Sequence, residues 1–147
     1  MKAPDTFFQE LPISAAIDDA SWKEGGLFAV DTANCNSWRS LEDAVLLRSS
    51  ADIILSKESK LHHEDRLAGA TLAARAAGWS PALSLAHRTQ ASFGSGGNGV
   101  FLREGNGVTD YTKDLVPEAF RHRICVAWGD TIVKGGVYFI SIWPVDL

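Results

Sequence analysis

With 147 residues, 46% hydrophobic and 22% charged, the chain has room for one domain and enough apolar content to fold rather than stay disordered. A net charge of -4 provides no global basic footprint, so any contact with nucleic acid has to come from a local groove. No apolar run reaches membrane-span length, the first residues lack a signal peptide's apolar segment, and Cys35 and Cys125 are too few and too far apart for a disulfide framework; an intracellular protein, nuclear or cytoplasmic, with two buried thiols and no membrane partner is expected.

Residues 1–26 read as a leader that mixes acidic residues with Phe7, Phe8 and Trp22, and a single domain is expected over residues 27–147. Residues 27–33 form a largely apolar run that predicts a strand closing on Asn34, Cys35 and Asn36. Ser40, with Asp43 three residues on, resembles a capping box, and Leu41, Ala44, Val45 and Leu46 follow at helical spacing. Residues 53–55 predict a second strand closing on Ser56, Lys57 and Glu58. Two strands joined by such a helix most simply form a right-handed crossover with parallel strands, which brings both carboxyl ends, and hence Asn34 and Glu58, to one rim. Ligands favour that rim in open α/β sheets, and an amide oxygen beside a carboxylate suits a hard divalent cation such as magnesium.

Residues 61–77 predict a second helix, with Leu61, Leu67 or Ala68, and Leu72 toward one side and Gly78 as its stop. His62, His63, Glu64 and Asp65 belong to its solvated first turn, because neighbouring side chains on a helix diverge. Pro81 marks the following strand as an edge strand or its start. Gly94-Ser95-Gly96-Gly97-Asn98-Gly99 matches a dinucleotide-binding pattern in letters, but the strand of residues 100–103 follows it where that motif requires a helix. The turn therefore serves either a backbone approach to phosphate or a tight bend that needs glycine. Glu104 to Gly107 is a turn signal, and residues 116–120 are a short connector. Residues 121–128 and 137–143 predict an antiparallel hairpin, with Ile132 and Val133 extending its first arm. Arg121, His122 and Arg123 make the clearest basic cluster, at a solvated strand end within reach of a phosphate.

The strand ending in Asn34-Cys35-Asn36-Ser37-Trp38, together with Ser56-Lys57-Glu58-Ser59-Lys60-Leu61, resembles the opening of the endonuclease/exonuclease/phosphatase superfamily, closest in flavour to the endonuclease domain of non-LTR retroelement polyproteins. The resemblance implies that Asn34 and Glu58 are catalytic and metal-binding residues, with Lys57 standing where the family usually has Gln. It places Asn36, Ser95, Asn98 and Trp143 toward substrate. Trp143 closes Ser141-Ile142-Trp143, where the family has a Ser-Val-Tyr-like triplet, so it keeps an aromatic face without the phenol.

The resemblance implies an α/β (α+β) fold, seen as a truncated part of a four-layer α/β sandwich. The family's later Gly-Asp-Xaa-Asn and Ser-Asp-His segments have no counterpart in these residues. The expected function is the N-terminal portion of a magnesium-dependent endonuclease, with manganese as a substitute ion, inactive alone and completed by a C-terminal half. Its expected partner is nucleic acid, DNA ahead of RNA. The alternatives are a non-catalytic remnant that binds nucleic acid, and a phosphatase of small phosphorylated metabolites or lipid headgroups.

Overall fold

The computed structural model describes residues 25–90 and 94–144, so all but the last two residues of the expected leader lie outside it. Strands β1 (Val30–Asn34) and β2 (Ile53–Lys57) pair in parallel, with Asn34 opposite Lys57. Both strands run further toward the rim than their apolar runs, since the ladder continues into the polar residues. The helix between them starts earlier than the Ser40–Asp43 box suggests. Its N-cap is Ser37, whose extended backbone lets Oγ accept from the Ser40 N–H at 3.1 Å, and Ser40 falls inside the first turn. This helix, α1 (Trp38–Leu41), widens into a π-helical turn over Glu42–Leu46, which carries Leu41 and Leu46 into the core.

Helix α2 (Glu64–Ala76) is followed by β3 (Trp79–Leu83), a two-residue hairpin of β4 (His87–Arg88) and β5 (Gly94–Ser95), and β6 (Gly99–Arg103). The main sheet has the order β1-β2-β6-β3, with β6 antiparallel to both of its neighbours. Pro81 therefore sits on an edge strand, where its missing N–H leaves no ladder bond unmade. Helix α2 turns Ala70 and Ala74 to the sheet, while Leu72, expected inside, is 65% exposed. Small side chains let the helix approach closely, and Trp79 fills the space beneath it. The Trp79 indole N–H donates to the Leu46 carbonyl at 2.8 Å, and the Arg103 guanidinium lies 3.8 Å over its ring. Arg103 in turn binds the carbonyls of Ser49 and Ala51, both at 2.7 Å, and so closes the end of the α1–β2 connection.

The other sheet is an antiparallel meander of β7 (Val108–Asp110), β8 (Ile124–Gly129) and β9 (Val137–Ile142), with a short helix α3 (Thr112–Leu115) and a 3-10 turn (Glu118–Phe120) between β7 and β8. Ile132 and Val133 do not extend β8. Residues 130–136 form a loop, and its last residue, Gly136, packs against the Trp128 ring with a positive φ of 79°, a position closed to any side chain.

Period-two alternation sorts the main sheet's residues between two cores. Ile53, Ala82, Val100 and Leu102 meet Cys125, Ala127 and Phe139 of the meander, whereas Ile54, Trp79 and Phe101 meet Leu41, Leu46 and Ala74 of the helical layer. The result is a helix–sheet–sheet stack, an α/β fold as expected. Both cysteines are free, but Cys125 is buried and Cys35 half-buried. Burial, helped by the nearby Asp110 charge, pushes the Cys125 thiol up to about 12.

The far face of the meander carries Tyr138, Ile140 and Ile142, each close to half exposed at 49%, 48% and 49%, on a strand at the sheet's edge. Such a face promotes association. Replacing Ile140 with Lys should leave urea stability within about 0.5 kcal/mol of the parent. The same change should reduce concentration-dependent self-association in light-scattering size exclusion, and equal association of both proteins would show that this face is not the sticky one.

Candidate functional site

Parallel pairing of β1 with β2 delivers the expected juxtaposition. Asn34 ends β1 opposite Lys57, the Cys35 N–H reaches the Lys57 carbonyl at 3.4 Å, and Glu58 follows at the same rim. Asn34 and Asn36 are exposed and Glu58 is half-buried, so all three are open to solvent. Asn36, Glu58 and Lys60 each have a φ of 58°. Asparagine adopts this left-handed conformation readily, but for Glu and Lys it costs about 1–2 kcal/mol per residue. Two strained residues around Ser59, beside an exposed amide, form the kind of over-determined turn found at functional sites.

The glycine-rich turn supplies the restraint. The Ser59 N–H donates to the Gly97 carbonyl at 2.9 Å and the Lys60 N–H to the Gly96 carbonyl at 3.1 Å, while the Gly97 N–H donates to the His122 carbonyl at 2.7 Å. A side chain at Gly96 would collide with that His122 carbonyl, and a Cβ at Gly97 would lie 2.6 Å from Ser59 Oγ. Of the two roles open to this turn, the tight bend is the one observed: its backbone brackets the Glu58 loop.

Asn98 needs correction as a substrate contact. It has no exposed surface, and its side-chain amide donates to the carbonyls of Arg123 and Ser141, each at 2.8 Å. Its backbone exchanges bonds with Ser84, N–H to Oγ at 2.9 Å and carbonyl from the Ser84 N–H at 2.9 Å. Asn98 is a brace that joins β6 to the start of β8 and the end of β9. Ser95 lies half-buried on β5 opposite His87. Trp143, half-buried just beyond β9, carries the Arg123 guanidinium 4.6 Å over its ring. The basic cluster divides: Arg121 binds the carbonyls of Val116 and Lys113, both at 2.9 Å, while His122 and Arg123 turn toward the rim.

A cleft of about 300 Å³ opens beside the Glu58 turn, with Trp38, Arg39, Ser59, Lys60, His62 and Arg66 in its wall. Among the described residues, no carboxylate contributes to that wall. Arg39 makes an exposed ion pair with Asp43 at 3.7 Å, too solvated to neutralise it. The sequence reading missed this cleft because Arg39, Lys60 and Arg66 come from separate elements. The one hint available was that Arg39 and Lys60 fall within a few residues of a predicted strand end, while Arg66 belongs to the predicted helix of residues 61–77.

Among the described residues, no three His, Cys, Asp or Glu side chains gather as a metal cluster. Asn34 and Glu58 provide one amide oxygen and one carboxylate open to solvent, the oxygen donor types that a hard divalent cation takes. Burial raises the neighbouring Cys35 thiol, so it is a protonated thiol rather than a soft thiolate ligand at neutral pH.

No protein-family model and no curated protein sequence matches this chain. Its fold is similar to the crystal structure of AP endonuclease LMAP from Leishmania major, with a TM-score of 0.58 over 97% of this chain at 15% identity. The chain spans 48% of that protein's length, about half. What the two share is an α/β fold; the likeness does not reach to retroelement endonucleases in particular.

Two substitutions separate strain from support. Glu58→Gly should raise urea stability by about 1 kcal/mol, because glycine accepts the positive φ without a Cβ penalty. Asn98→Ala should lower it by about 1–3 kcal/mol, through the loss of two hydrogen bonds, the Arg123 carbonyl keeping the Trp143 N–H as its other partner. Wild-type stability in Asn98→Ala would reinstate Asn98 as a residue free to serve a ligand.

Proposed function

We propose that the chain carries the metal-binding portion of a magnesium-dependent phosphodiesterase that cuts nucleic-acid strands, DNA ahead of RNA. The observation that carries this reading is the meeting of Asn34 and the strained Glu58 turn on one rim, next to a cleft walled by Arg39, Lys60, His62 and Arg66. Fold similarity to an AP endonuclease supports a nuclease-type reaction. The motif segments at Asn34 and Glu58 support the finer affiliation with retroelement endonucleases.

In this reading Asn34 and Glu58 hold the ion, with Asn36 beside them, and Ser95 and Trp143 lie toward the substrate. Magnesium, or manganese in its place, supplies charge neutralisation at phosphoryl oxygens when bound. Arg39, Lys60 and Arg66 take the flanking phosphates as charge-assisted donors and hold the strand in register. Hydrolysis also needs an oriented water and a base. We assign these to a completing polypeptide that supplies the rest of the sandwich and covers the open edge of β9. A binding role without hydrolysis is the second reading, favoured by the basic cleft, which binds phosphates whether or not a base is present.

Magnesium at millimolar concentration should stabilise the wild type against heat by about 1 kcal/mol, as expected for a site with a millimolar Kd, and Glu58→Ala should abolish the effect. Plasmid nicking with magnesium should stay at background for the chain alone and appear when a completing half is supplied. Equal magnesium responses in wild type and Glu58→Ala would remove Glu58 from the metal site. Release of inorganic phosphate from small phosphate esters, without nicking, would favour a phosphatase.

A further inference from the structure

The Arg123 end of the rim holds a group of side chains that the proposed reaction does not use. The rings of His87 on β4 and His122 lie 5.5 Å apart at an interplanar angle of 47°. The Arg123 Nε–H donates to His122 Nε2 at 3.0 Å, Nη1 reaches toward the Pro144 carbonyl at 3.4 Å, and the guanidinium plane rests on Trp143. The charged and titratable groups around His122 are Arg123, His87 and, beside His87 on β4, Arg88. Among the described residues no carboxylate lies within ion-pairing distance of His87, His122 or Arg123. A guanidinium packed with two imidazoles, with no counter-charge among the described residues, is an arrangement that an anion stabilises.

We propose that His87, His122 and Arg123 form a phosphate-binding point for a nucleic-acid strand, distinct from the cleft beside Glu58. The proposal rests on the nucleic-acid reading above. In the neutral state His122 Nε2 keeps a lone pair, which holds Arg123 Nε, and the ring proton sits on Nδ1. Protonation of Nε2 removes that acceptor. The His122 ring then donates from both nitrogens, and Arg123 Nε is released to bind a phosphoryl oxygen while Trp143 keeps the guanidinium plane in place. Burial, Arg123 and His87 lower the His122 pKa in that order. A bound phosphate opposes the two charge effects and raises it. Strand affinity is therefore flat above the His122 pKa of the complex, rises as pH falls through it, and levels off below the lowered pKa of the free protein.

The test is an NMR titration of the histidine rings at constant ionic strength in EDTA, so that the metal role of Glu58 plays no part. It is run for the free protein, with inorganic phosphate, and with a short single-stranded oligonucleotide. The expected result is an upward shift of the His122 midpoint with both additions, with oligonucleotide affinity about tenfold higher at pH 5.5 than at pH 8. His122→Gln should flatten that pH dependence, and Arg123→Gln should weaken binding at both pH values. A shift with phosphate alone would make this a free-phosphate site and overturn the strand contact. A midpoint unmoved by either addition overturns the site altogether. If the oligonucleotide then still binds and Arg39→Ala weakens it, the nucleic-acid reading stands without this site.

Discussion

The rim of this protein depends on one buried amide. Asn98 sits at the start of β6 and uses its side chain to bind the backbone at the start of β8 and the end of β9, while its own backbone is tied to Ser84 after β3. Four segments from distant parts of the chain are thus held within one side chain's reach. In a dry interior such bonds are stronger than in water and leave costly orphans when broken, so they fix a geometry rather than merely favour it. The neighbouring glycines extend the bracket: Gly96 and Gly97 bind the backbone of Ser59 and Lys60 on one side and of His122 on the other. The conformation of Glu58 is in this sense imposed from β6, a strand more than forty residues away in sequence.

That restraint explains how a glutamate and a lysine persist in left-handed backbone conformations. Local preference opposes both, and the surrounding hydrogen bonds overrule it. A chain of net charge -4 can still offer a local basic cleft, walled among the described residues by Arg39, Lys60 and Arg66.

The layering has its own consequence. The main sheet is covered on both faces, by helices through Trp79 and Phe101 and by the meander through Leu102 and Phe139. The meander is covered well on one face alone. Tyr138, Ile140 and Ile142 remain half exposed along a strand that is an edge strand among the described residues, and Val30 of β1, the edge strand on the same side of the stack, is 42% exposed.

By itself the sequence determined the features that depend on local spacing. The β1–helix–β2 opening, the edge position of Pro81, the β8–β9 hairpin, the solvated first turn of α2 and the shared rim of Asn34 and Glu58 all follow from hydrophobic period, turn residues and the parallel crossover. Tertiary structure decided what depends on which groups meet. Ser37 rather than Ser40 caps α1, because the cap is chosen by backbone dihedrals and not by the letter pattern. Leu72 faces solvent, because close approach to Trp79 selects the alanine face of α2. Asn98 reads as an exposed polar residue in a glycine loop, and only the packing of two sheets encloses it. The basic cleft was illegible because its members are separated in the chain, whereas His122 and Arg123 stand out as a basic cluster and only their meeting with His87 needed the fold.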